Sequence, residues 1–172
     1  ANAEYITIER QPQGGNKTGN SLSLSPVVTV RDFDGNPTTM ISAETISAVI
    51  AQGAGSVTAN GQASVVNGVA TFSNLTLVAL PGEAQRLRFE LVGFSNSASQ
   101  VVKSVASDQI TLTFSDAHQL AVIQQPSANA ITAELLATQP KVVVQDRFGN
   151  TVSDYVGNVW VESQVGSKIG RA

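Results

Sequence analysis

Residues 26–36 of the chain read Pro26-Val27-Val28-Thr29-Val30-Arg31-Asp32-Phe33-Asp34-Gly35-Asn36, and 114 positions later (Asp32 to Asp146) a second version reads Pro140-Lys141-Val142-Val143-Val144-Gln145-Asp146-Arg147-Phe148-Gly149-Asn150. Each run opens on proline, places valine at alternate positions and closes on Asp-x-x-Gly-Asn. Period-two valine is the mark of a strand buried on one face. The closing residues are turn chemistry, in which an aspartate accepts from its own downstream backbone and glycine or asparagine takes a positive φ. Working outward, Gln11-Pro12 recurs as Gln125-Pro126 at the same offset, with no gap needed between Gln11 and Asn36. The chain carries an internal repeat. Its period is too long for a solenoid unit and suits a β-sandwich of about 100 residues.

The rest of the first copy reads as short strands. Ile6 and Ile8 alternate within Tyr5 to Glu9, and Leu22, Leu24, Val28 and Val30 follow, with Pro26 marking an edge or bulge. Ile46, Ala48 and Ile50 alternate next, then short runs at Val57 and Val65. Asn67-Gly68 ahead of Val69-Ala70-Thr71-Phe72 is a hairpin signal. Leu87, Phe89 and Leu91 alternate with Arg86, Arg88 and Glu90, one face dry and one wet. Ile110, Leu112 and Phe114 close the copy, and only Ser115 to Gln119 separate it from the next. Ala130 to Ala137 is the one modest helical candidate and reads as loop. The expected architecture is all-β: an antiparallel β-sandwich over residues 1–116, then the N-terminal half of a second over residues 117–172. That second copy offers one more strand, Val159-Trp160-Val161, before it stops. Its missing half is expected beyond the sequence given, from another chain, or as a partly ordered tail.

Composition narrows the function. Of 172 residues 42% are hydrophobic and 13% charged, against about 25% charged in typical soluble domains. Net charge is −3 with no basic stripe, so nucleic acid is not an expected partner. No apolar run approaches the ~18 residues of a membrane span, and membrane insertion is not expected. With no cysteine, disulfides, thiolate zinc sites and thiol catalysis are excluded.

The anchors Gln11-Pro12, Pro26 to Asn36, Gly53-Ala54-Gly55, Asn67 to Phe72 and Leu87-Arg88-Phe89 resemble the bacterial immunoglobulin-like (Big) repeats of invasin- and intimin-type surface adhesins. The likeness spans residues 4–115 and the front half again from 118. It implies an immunoglobulin-like antiparallel β-sandwich, one complete repeat followed by a partial second. It also implies a non-catalytic structural or adhesive role in a secreted or cell-surface bacterial protein, acting as a rigid stalk stacked against adjacent repeats. The ligand it implies is a host-cell protein or a surface glycan, without naming one. Two rival readings are a carbohydrate-binding accessory module of a secreted polysaccharide-degrading enzyme and a phage tail or capsid decoration domain.

Sites with chemistry are scarce, and no catalytic, cofactor-binding or metal residue is expected. Asp32 to Asn36 falls short of an EF-hand, because Glu44 stands one position too far and the alternate acidic ligands are missing. A structural calcium at the junction, using Asp108 or Asp116, is the lesser alternative to a plain β-turn. His118, the only histidine, is expected in a solvated link, without a partner for a metal centre or a Ser/His pair. Trp160 is expected in the core, its alternative being a sugar-stacking ring on an open face. An isopeptide bond from Lys17, Lys103, Lys141 or Lys168 would need a buried lysine beside a carboxyl group of raised pKa.

Overall fold

The structure is a computed structural model and describes residues 3–38, 44–92, 104–129 and 131–161. Among them eleven β-strands and no helix are found. They are β1 (Tyr5–Arg10), β2 (Val27–Arg31), β3 (Thr45–Gln52), β4 (Ser56–Ala59), β5 (Gln62–Val66) and β6 (Val69–Thr71). Next come β7 (Thr76–Val78), β8 (Arg86–Val92), β9 (Ser104–Ala106), β10 (Ala117–Gln124) and β11 (Lys141–Asp146). Every strand pairing is antiparallel. The fold is all-β, as the alternation required.

Seven strands join in the order β1-β2-β6-β5-β3-β8-β9, and β4 pairs with β7 alone. β5 makes this ladder into two layers. Its first residues, Gln62 to Ser64, pair with β3, and Val65 and Val66 then pair with β6. One strand thus serves both layers at a corner, and the outermost strands β1 and β9 approach each other on the far side. The result is a sandwich that nearly closes into a barrel. Closing the sheet on itself leaves few unpaired edges.

Period-two alternation decides what lies between the layers. Ile6 from β1, Val28 and Val30 from β2, Ile46 and Ala48 from β3, and Leu87 and Phe89 from β8 all point inward and are buried. Leu75 and Leu77 on and beside β7 add to them, as do Ile110 and Leu112. Phe72 and Phe89 meet at the centre with ring centroids 5.2 Å apart and planes tilted by 55°, a geometry that aromatic quadrupoles favour. Outside, Arg88 pairs with Glu90 along β8, and Glu9 accepts from Thr7 and Arg31. The Thr7 hydroxyl first, and the Arg31 guanidinium with it, hold the Glu9 carboxyl below the usual carboxylate range.

Asn67 (φ 50°) and Gly68 (φ 81°) both take positive φ, the conformation of a two-residue hairpin between β5 and β6. A Cβ on Gly68 would lie 2.4 Å from the Thr38 carbonyl oxygen, so glycine is needed for space as well as for φ.

Three expectations are corrected. Ile110, Leu112 and Phe114 do not form a regular strand. The segment threads between neighbours through single bridges, Gln85 with Ile110 and Lys17 with Thr113, because its partners on either side are themselves irregular. Val159-Trp160-Val161 has no strand pairing, and Trp160 is 82% exposed instead of buried in the core. The corresponding first-copy residues Thr45 to Ser47 are held by β5 on one side and β8 on the other, and no described strand plays either part for Trp160. His118 lies on β10 and is exposed; the link between β10 and the preceding segment is only Ser115 and Asp116. Lys103 and Lys168 lie outside the described residues.

The aromatic pair supplies a stability test. Phe89→Ala should lower unfolding free energy in urea titration by about 3–5 kcal/mol, whereas Phe33→Ala, an exposed ring, should change it by no more than about 0.5 kcal/mol.

Candidate functional site

The candidate site lies where the β10–β11 pair meets the end of the preceding sandwich, and it begins with a recurrence. Tyr5, Ile6, Thr7 and Ile8 stand opposite Arg31, Val30, Thr29 and Val28, and a bulge then brings Arg10 opposite Val27. Gln119, Leu120, Ala121 and Val122 stand opposite Gln145, Val144, Val143 and Val142, and a bulge then brings Gln124 opposite Lys141. Register and bulge agree at the sequence offset. So does the intervening loop: the Gln13 amide donates to the Leu24 carbonyl and the Ser127 amide to that of Thr138, each at 3.1 Å. Even the left-handed Gly19 (φ 79°) has its counterpart in a left-handed Ala133 (φ 65°). Two loops of different sequence have closed with the same backbone bond.

The turn after each second strand is also built alike. Asp32 accepts the Asn36 amide on Oδ1 at 2.8 Å, and Asp146 accepts the Asn150 amide on Oδ1 at 2.9 Å. In both, the glycine amide closes onto the aspartate carbonyl, at 3.1 Å for Gly35 and 3.0 Å for Gly149. This is the expected β-turn.

What differs is what the turns touch. Asp146 is fully buried. Its Oδ1 also accepts the Phe148 amide at 2.9 Å, and its Oδ2 accepts the Asn150 side-chain amide at 3.1 Å. The remaining donor comes from across the junction: the Ser115 amide reaches Oδ2 at 2.9 Å. Burial opposes the charge most strongly, but the donors from Ser115, Asn150 and Phe148 outweigh it and hold the Asp146 carboxyl below the usual range. A carboxylate so surrounded fixes the backbone of both sides at once.

Two further contacts flank it. Lys17 and Asp116 form an ion pair across the junction, both well exposed, which contributes little to stability on its own. The Phe148 ring lies against Gly19, where a Cβ would fall 2.4 Å from Cζ. Gly19 is held there because Thr18, fully buried, exchanges hydroxyl and amide hydrogen bonds with Ala79 at 3.0 Å. The Arg147 guanidinium stacks over the Phe148 ring, 4.8 Å from its centroid. Phe148 is 38% exposed, whereas Phe33, on the matching turn of the first copy, is 86% exposed.

Other sequence candidates are not gathered here. Asp116 faces Lys17, while the Asp108 amide is bound by Gln11 Oε1 elsewhere. Among the described residues no three His, Cys, Asp or Glu side chains cluster as metal ligands. Lys17 and Lys141 are exposed, not buried as isopeptide chemistry needs. Sequence reasoning read Asp146 as a turn residue and missed its reach to Ser115. No family model and no curated protein matches the chain.

The folded-state pKa of Asp146 lies below its unfolded value of about 3.9. The stability it contributes is therefore present above about pH 4 and is lost as pH falls through the folded value. The Ser115 amide resonance should stay fixed from neutral pH to about 4 and shift only in stronger acid; a shift centred above pH 5 would contradict this. Asp146→Ala should destabilise the β10–β11 pair by about 2–3 kcal/mol, read as faster amide exchange at Val142 to Val144. Gly19→Ala and Gly82→Ala share the same left-handed φ of 79°, and with it a cost of about 1–2 kcal/mol. Nothing lies within 4 Å of a Cβ at Gly82, so the greater loss expected for Gly19→Ala in thermal melts isolates the Phe148 contact.

Proposed function

We propose that the chain is a non-catalytic structural module of a secreted or cell-surface bacterial protein, an immunoglobulin-like repeat whose copies follow one another as a stiff rod. The observation that carries this reading is the Asp146–Ser115 contact, in which the turn of one strand pair accepts a backbone donor from the preceding sandwich. Two-residue links with a buried polar staple, an ion pair and an aromatic contact favour restricted hinge motion over free tumbling. A charge-poor composition rich in neutral polar residues suits an extended extracellular array. Residues 1–116 then form one complete unit and residues 117–172 the front half of the next. A rod of such units would carry adhesive contacts to a host-cell protein or surface glycan on loops at its ends.

Residual dipolar couplings test the rod directly. The sandwich and the β10–β11 pair should share one alignment tensor within error in the natural chain. Asp146→Ala combined with Asp116→Ala should reduce the tensor magnitude for β10–β11 by about half or more, as domains with a weak interface reorient independently. Independent tensors in the natural chain would end the proposal.

A further inference from the structure

The first and last segments of the sandwich run side by side. Beyond β1 the chain from Gln11 to Thr18 lies against the chain from Asp108 to Thr113, and bonds join the two in order along their length. The Gln11 side chain accepts the Asp108 amide on Oε1 at 3.0 Å. The Gly15 amide donates to the Thr111 carbonyl at 2.8 Å, the Thr113 amide to the Asn16 carbonyl at 2.9 Å, and the Thr18 amide to the Thr113 carbonyl at 2.8 Å. Both segments advance in the same direction, and Lys17 with Thr113 is the one parallel bridge among the described residues.

Each segment is also fixed to the body of the sandwich. On the far side of the later segment, Gln85 and Ile110 exchange backbone bonds of 2.8 and 2.9 Å, and the Gly82 amide reaches the Leu112 carbonyl at 2.9 Å. On the earlier segment the Gln13 amide donates to the Leu24 carbonyl and the Ser23 amide to the Gln13 carbonyl, each at 3.1 Å. Thr18, fully buried, is tied to Ala79 by two bonds of 3.0 Å. Gly14 permits the close approach, since a Cβ there would fall 2.3 Å from the Thr111 carbonyl oxygen.

We infer that this parallel pair is a mechanical clamp, and that resisting tension transmitted along the chain is a further function of the sandwich. The reason is direction. A pull on the chain draws Ala3 one way and Asp116 the other. In parallel segments the pulled ends lie at opposite ends of the pair, so the pull runs along the segments and loads every bond between them at once. In antiparallel segments the pulled ends would lie together, and the bonds would open one after another. A single backbone hydrogen bond is weak. Simultaneous rupture raises the barrier, and forced unfolding is governed by the unfolding rate and not by equilibrium stability. The inference rests on the rod reading only for the source of the tension, since the clamp lies within the sandwich and does not use the Asp146 contact.

Single-molecule force spectroscopy of the full 172-residue chain tests it. The sequence has no cysteine, so one handle goes on the amino terminus and the other on a single introduced thiol. Asp116→Cys loads the pair in shear, whereas Asp108→Cys pulls both segments from the same end. Both positions are exposed. At one loading rate the sandwich should rupture at a force roughly twofold or more higher through position 116 than through position 108. Gly14→Ala presses on Thr111, and Gln11→Ala removes the acceptor for the Asp108 amide while sparing the backbone. Each should lower the force through position 116 and leave that through position 108 little changed; if Gly14→Ala does not fold, Gln11→Ala decides. Ile46→Val, at a buried position on β3, should lower stability in urea yet leave the force through position 116 unchanged. Equal forces through the two positions overturn the inference. So does a loss for Ile46→Val as large as that for the clamp variants, or no loss in Gln11→Ala. Independent alignment of β10–β11, which would end the rod reading, leaves these forces as they are, and equal forces leave a shared alignment intact.

Discussion

An antiparallel strand pair buries one face and wets the other, and everything in this protein depends on what covers the dry face. In β1 and β2 the dry face is Ile6, Val28 and Val30, and β5, carried round the corner from one layer to the other, brings β3 and β8 over it. Burying each such side chain contributes roughly 1.5–3 kcal/mol, and the tilted Phe72–Phe89 pair sits where the contributions converge. β10 and β11 have the same register and the same bulge but no described cover. The same register over four residue pairs therefore leads, among the described residues, to two different states of the same kind of face, one covered and one not.

The junction shows a second economy of the fold. Asp32 and Asp146 are both turn aspartates, each closing its own loop through the downstream asparagine amide. At Asp146 the spare carboxylate oxygen is used outward, on Ser115. A buried carboxylate is costly unless donors surround it, and here the turn that creates the burial also supplies three of the four donors. The fourth joins the two parts of the molecule. Gly19 completes the fit because only a residue without Cβ leaves room for the Phe148 ring.

Much of this was legible in the residues, for definite reasons. Strand alternation has a period of two whatever surrounds it, so Ile6, Ile8, Val28 and Val30, and again Leu87, Phe89 and Leu91, announce their faces directly. Asn67-Gly68 announces its hairpin because few residue pairs accept two positive φ values in succession. The irregular course of Ile110 to Phe114 was not legible, since alternation cannot tell a strand with a continuous ladder from a buried segment held by single bridges. Trp160 misled for a related reason. A tryptophan among valines signals a core position only if the strands that flank it are there to bury it.

What the sequence determined by itself was the strand-forming alternation and the turns, because each depends on interactions within a few residues. Tertiary structure alone decided that β5 serves two layers, that Asp146 reaches Ser115, and that Phe148 rests on Gly19 while Phe33 stands in water. Those outcomes depend on groups brought together across tens of residues, and no short-range pattern encodes which carboxylate oxygen will find a distant amide. The local pattern was written twice, on the same anchor residues at Gln-Pro, the strand valines and the Asp-x-x-Gly-Asn turn. Long-range packing, acting on the positions where the copies differ, such as Asp34 against Phe148, set the two turns apart.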